Sequence, residues 1–137
     1  ELDSLPVEIG ALENLEQLIL NQNKLKQLPG SIGKLKKLSK LQLDFNELTC
    51  LPETLFDCLN LQFLDLNRNE LELISPKIGQ LKNLREISLV RAGNLVQLPE
   101  EICALRQLEL LVIDQMIVVP TCALVNRTNR LQIRMNE

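Results

Sequence analysis

The chain has 137 residues, 45 % of them hydrophobic and only 2 % aromatic, with a formal net charge of −3. This suits one compact domain or one repeat array whose core is aliphatic, since three Phe and no Trp or Tyr leave Leu, Ile and Val to fill it. The charge offers no basic face for nucleic acid, no apolar run is long enough for a spanning helix, and the absence of His removes Ser-His-Asp and Cys-His arrangements.

Along the chain, a proline recurs near the start of each unit. Leu5-Pro6, Leu28-Pro29 and Leu51-Pro52 are spaced by 23 residues, Ile74 follows after another 23, Leu98-Pro99 after 24 and Val119-Pro120 after 21. Behind the proline stand Ile9, Ile32, Leu55, Ile78 and Ile102, then Gly10, Gly33 and Gly79, with Phe56 and Cys103 replacing Gly. Leu12, Leu35, Cys58, Leu81 and Leu105 form the next column, and Leu15, Leu38, Leu61, Leu84 and Leu108 another. Apolar residues at Ile9, Leu12 and Leu15 predict one or two turns of α or 3-10 helix.

The following segments alternate apolar-in with side-chain-out: Leu18-Ile19-Leu20, Leu41-Gln42-Leu43, Leu64-Asp65-Leu66, Ile87-Ser88-Leu89 and Leu111-Val112-Ile113. Each predicts a strand of about three residues, too short to stand alone. Stacked in parallel, such strands make one sheet, and the wider helical segments bend it with the strands on the concave side. Asn23, Asn46 and Asn69 mark the turn after each strand, and Leu25, Leu48 and Leu71 close the unit.

The unit L-P-x-x-I-G-x-L-x-x-L-x-x-L-x-L-x-x-N-x-L-x-x resembles the leucine-rich-repeat family, over about 130 of the 137 residues. The L-P-x-x-I-G segment is most similar to Ras-suppressor-type and scribble-type repeats and to bacterial, spirochaete-like proteins of the same design. The resemblance implies an α/β fold: a right-handed leucine-rich-repeat solenoid with short parallel strands on the concave face and helical, 3-10 or irregular segments on the convex face. It also implies that the Asn amides hydrogen-bond buried backbone between adjacent coils, which a buried turn requires. A single domain over residues 1–137 is expected, with repeats near 5–27, 28–50, 51–73, 74–97 and 98–118 and a degenerate closing repeat at 119–137.

The pattern breaks in three places. Ala92 takes the Asn position of the fourth unit, beside an extra residue around Ala92-Gly93-Asn94, and Met116 takes it in the fifth, so coil stacking is expected to loosen or tilt there. Leu131-Gln132-Ile133 still reads as a strand in a shortened polar closing coil. Leu2 occupies the slot of Leu25, so the chain starts within a coil. A fragment of a longer protein is the expected reason, with self-association through the uncapped N-terminal edge as an alternative. No leader peptide is visible, and a removed one would leave none.

Cys50, Cys58, Cys103 and Cys122 form no C-x-x-C pair, which argues against a structural metal site; the even count permits two disulfides, but reduced thiols are expected, with Cys58 buried in a Leu column and Cys50 at a variable position. Phe56 is expected to pack inward. Asn126-Arg127-Thr128 matches a glycosylation acceptor that matters only for a secreted chain. Basic clusters at Lys34, Lys36, Lys37 and Lys40 and at Arg127, Arg130 and Arg134 read as solvated faces.

No glycine-rich phosphate loop is present, no cofactor or metal is implied, and catalysis is not expected. The inward columns are nearly invariant while the outward strand positions differ from coil to coil, as in a scaffold that displays a specific surface. The expected partner-binding residues on the concave face are Lys40, Phe45, Phe63, Asp65, Arg68, Glu86, Ser88, Val90, Arg91, Leu110 and Val112. Phe45 and Phe63 lie at opposite ends of their strands and need not form one patch. The expected function is a non-catalytic protein–protein interaction module of a larger signalling, scaffolding or host-interaction protein. The alternative is a regulatory or substrate-recruiting domain of an enzyme whose catalytic part lies elsewhere. Another protein is the expected partner, without nucleic acid, cofactor or membrane contact. A cytoplasmic location is expected, with a secreted or surface protein as the alternative, which predicts oxidised Cys50 or Cys122.

Overall fold

The computed structural model describes residues 1–125 and 131–137. Six strands, β1 (Gln17–Ile19), β2 (Lys40–Gln42), β3 (Phe63–Asp65), β4 (Glu86–Leu89), β5 (Leu110–Asp114) and β6 (Gln132–Asn136), form one parallel sheet in chain order. Each return path crosses the opposite side of the coil and lays the next strand beside the last, the right-handed crossover that twisted strands favour.

Five 3-10 turns occupy the convex side before β1 to β5: Val7–Ala11, Gly30–Lys34, Glu53–Asp57, Pro76–Gln80 and Glu100–Ala104. Proline holds the extended residue before four of them and the first helical position of the other. With five residues each, they close on i→i+3 bonds such as Leu35 N–H to the Ile32 carbonyl. The expected α or 3-10 segment is therefore 3-10 in these coils, while a short helix α1 (Thr121–Val125) stands before β6.

The repeated apolar columns form one continuous core. Leu35, Leu38, Leu41, Leu43 and Leu48, like their counterparts in the third coil, are almost completely shielded, and Phe56 packs into the same core. The glycine column is where stacked turns approach closely: a Cβ on Gly33 would lie 2.5 Å from the Thr54 carbonyl oxygen.

The asparagines hold the coils together. The Asn46 Oδ1 accepts from Leu25 N–H at 3.1 Å, while its Nδ2 donates to the Leu20 and Leu43 carbonyls at 2.9 and 3.0 Å. Asn69 repeats this with Leu48, Leu43 and Leu66. Asn23 receives the Leu2 N–H at 2.7 Å, so Leu2 stands to Asn23 as Leu25 stands to Asn46.

Where Ala92 replaces this asparagine, the expected loosening does not occur. The Ala92 carbonyl accepts from Leu71 N–H at 2.7 Å, and Asn94 N–H donates to the Leu71 carbonyl at 2.9 Å. The extra residue thus lets backbone supply the bond that the side chain supplied, with Gly93 at φ +135° bridged to Leu71. In the fifth coil Met116 is 86 % exposed and does not fill the asparagine slot; Ile117 turns inward instead, and its N–H returns to the Asp114 carbonyl.

The expectation of reduced thiols is corrected at one pair. Cys103, at the end of the fifth 3-10 turn, is disulfide-bonded to Cys122 of α1, with Cα atoms 6.0 Å apart. The shortened closing coil lays α1 against that turn, bringing together two cysteines 19 residues apart. Cys50 is a free exposed thiol, and Cys58 is free and buried, its Sγ donating to the Ile32 carbonyl at 3.2 Å.

Candidate protein-binding groove

Parallel register sets the outward side chains of the sheet in rows. Lys40, Phe63, Glu86, Leu110 and Gln132 face one another in sequence across β2 to β6, and Gln42, Asp65, Ser88, Val112 and Arg134 form the next row. Between the rows of β1 to β5 lies a groove of about 450 Å³. It brings together seven of the predicted site residues: Lys40, Phe63, Asp65, Glu86, Ser88, Leu110 and Val112. Gln17, Ser39, Gln42 and Asn67 also line it, over the strand residues Leu41, Leu64 and Ile87. Asn67 was not among the predicted residues, although its outward position in the repeat was the available signal.

Asn67 organises the groove floor. Its Oδ1 accepts from Val90 N–H at 2.7 Å and from the Ser88 hydroxyl at 2.8 Å, and its own N–H donates to Asp65 Oδ1 at 3.0 Å. Asp65 is half-buried, and that burial pushes its carboxyl above the ordinary range; the Asn67 N–H offsets part of the effect, Asp44 adds repulsion, and the more distant charge of Arg68 offsets a little more.

The other predicted residues lie outside the groove. Phe45, Arg68 and Arg91 belong with Gln22 to a column one repeat apart, all with left-handed backbone at φ 57°, 49°, 52° and 60° respectively. This conformation disfavours bulky residues, and the stacking enforces it. Phe45 N–H donates to the Asn67 carbonyl, and the next residue, Asn46, donates to the Arg68 carbonyl, so the turn aims two donors in succession at the adjacent coil. Gln, Phe and Arg share no chemistry, and the column therefore looked merely variable in the sequence.

Arg68 places its guanidinium 4.3 Å from the Phe45 ring centroid and pairs with Asp44 at 3.2 Å. Phe45, Arg68, Gln22, Asn23, Lys24, Asn46, Glu47 and Glu1 line a separate hollow of about 380 Å³. Val90 is half-buried and lines neither.

The lysine cluster also divides. Lys40 lines the groove, whereas Lys36 Nζ donates to the Asp57 carbonyl and Lys37 Nζ to Asn14. Arg134 is exposed on β6, while Arg127, Arg130 and the Asn126-Arg127-Thr128 motif lie within residues 126–130, outside the described residues. Among the described residues no group of three or more His, Cys, Asp or Glu could hold a metal, and no helix is long and apolar enough to cross a membrane.

A family profile for the leucine rich repeat matches residues 13–71. A leucine-rich-repeat protein of Leptospira interrogans is 34 % identical over 98 % of the chain, with a TM-score of 0.87. The chain spans 34 % of that protein's length. The chain in the crystal structure of PEPR1-AtPEP1 is 27 % identical, with a TM-score of 0.75, over 95 % of this chain and 19 % of that one. The leucine-rich-repeat ectodomain of the receptor kinase SOBIR1 from Arabidopsis thaliana shares the fold, at 24 % identity and a TM-score of 0.72, over 86 % of this chain and 67 % of that one. No curated protein sequence matches the chain.

Proposed function

Since this chain belongs to the leucine-rich-repeat family, we propose that it is a non-catalytic protein-binding module that receives its partner in the groove across β1 to β5. One observation carries the reading: a rigid, repeated core holds a row of unlike side chains in register over a single open groove. A scaffold that only had to stay folded would not favour Phe63, Leu110 and Val112 there, half-exposed in one groove. The module is a part of a larger signalling, scaffolding or host-interaction protein.

The Cys103–Cys122 disulfide supports a secreted or cell-surface setting over a cytoplasmic one, because cytosolic thiols are kept reduced.

Affinity capture from the source organism tests the reading. The native protein is compared with a Phe63→Glu/Val112→Glu double variant, after both are shown to melt cooperatively. A partner retained by the native protein and lost by the variant supports the groove. A partner held equally by both places the interface elsewhere.

A further inference from the structure

The groove carries charge that the fold leaves unbalanced. Asp44 has Arg68, and Glu109 on the flank has Arg85 at 2.7 Å. Asp65 and Glu86 have no cation within 4.0 Å among the described residues. The Asp65 carboxylate accepts only the Asn67 N–H among the described groups, and the Ser88 hydroxyl opposite is engaged by Asn67 rather than by Asp65. Lys40, the one cation lining the groove, lies in the row of Phe63 and makes no ion pair there. Arg134 is two strands away from β4.

Register sets the spacing of this pair. Glu86 faces Phe63 and Ser88 faces Asp65, so the Asp65 and Glu86 Cα atoms lie on a diagonal of about 8 Å. A planar guanidinium or an ammonium can sit between carboxylates at that separation, and Phe63 beside them offers a ring to the same cation. On the next strand Leu110 and Val112 face Glu86 and Ser88. The midpoint of that apolar pair is about 7 Å from the midpoint of the carboxylates, two residues of extended chain. A bare metal ion would find only two carboxylates here.

We propose that the groove seats an arginine or lysine of a protein partner between Asp65 and Glu86, with an aliphatic residue two positions away on the same extended segment packed against Leu110 and Val112. The inference rests on the reading of the groove as the binding face. Burial of Asp65 adds to it, since a cation would relieve the cost of holding that carboxylate charged.

The test uses a phage-displayed library of random peptides selected on the native chain. The selected peptides are then measured by calorimetry on the native chain, Asp65→Asn/Glu86→Gln, Glu86→Gln alone and Phe63→Glu/Val112→Glu. The expected result is enrichment of Arg or Lys two residues from Leu, Ile or Val. Affinity should fall roughly tenfold or more for Asp65→Asn/Glu86→Gln, and in the same direction for Glu86→Gln, an exposed change that leaves the fold intact. Peptides without a cation, or bound as tightly by the two amide variants, overturn the cation seat. If those peptides are still lost with Phe63→Glu/Val112→Glu, the groove survives as the binding face. Peptides indifferent to every variant, or no enrichment at all, overturn both.

Discussion

Gly93→Ala is the sharpest perturbation the fold offers. A Cβ at this position would stand 2.2 Å from the Leu71 carbonyl oxygen and 2.3 Å from the Leu71 nitrogen, both backbone atoms that cannot rotate away. Its φ of +135° is one that side-chain-bearing residues rarely adopt. Relief requires the bridge to Leu71 to open, with loss of the Leu71 N–H bond to Ala92 and the Asn94 N–H bond to Leu71. Backbone strain of about 1–3 kcal/mol and two hydrogen bonds near 1 kcal/mol each give a destabilisation of about 3–5 kcal/mol. That is a large fraction of the roughly 5–15 kcal/mol that holds a typical native protein. Guanidinium unfolding followed by far-UV circular dichroism reads it directly. Gly30→Ala is the control, because its added Cβ meets nothing closer than Thr54 Oγ1 at 3.8 Å. That control should be neutral or stabilising by a few tenths of a kcal/mol. A Gly93→Ala protein within about 1 kcal/mol of native would refute the argument that backbone at Ala92-Gly93-Asn94 replaces the missing asparagine.

Three further outcomes are expected. Reduction of Cys103–Cys122 removes the cross-link that closes a 19-residue separation in the unfolded chain and should lower stability by about 3 kcal/mol, measured as a shift in the thermal midpoint with and without a phosphine reductant; equal midpoints would contradict it. Iodoacetamide at neutral pH should label Cys50 in the native protein and spare Cys58, whose thiol burial pushes up to about 11; mass spectrometry after proteolysis distinguishes them, and native labelling of Cys58 would count against its burial. Asp65→Asn should gain stability relative to the native chain near pH 7 and none near pH 3. Because the folded carboxyl is raised, the unfolded state releases its proton first as pH rises, and native stability falls across that window, whereas the amide stays flat; a gain independent of pH would exclude this cause.

Much of this fold was legible because each coil repeats the same solution. Leu18, Leu41 and Leu64 announced inward strand positions, and strands appear there displaced by about one residue: β1 runs from Gln17 to Ile19, with pairing continued by Leu20 N–H to Gln42. Repetition also explains what stayed hidden. Ala92 carries no side chain that could signal its bond, because its backbone makes it. Cys103 and Cys122 pair through a closing coil whose columns have degenerated, so no frame aligned one with the other.

The groove was legible by a different route, as the set of positions that the repeat leaves unspecified. Seven predicted residues meet there because register alone carries them, whereas Phe45, Arg68 and Arg91 depart because a left-handed turn, invisible in their chemistry, carries them to the rim. The same contrast separates stability from recognition. Asn46 and Asn69 have their amide oxygens and nitrogens hydrogen-bonded within the stack, and substituting them can only cost the fold. Asp65 is the reverse: burial of its charge opposes folding, yet a carboxylate stands half-buried in a groove where a partner's charge could meet it. A residue that opposes the stability of its own coil while facing an open groove is where a binding function is best sought.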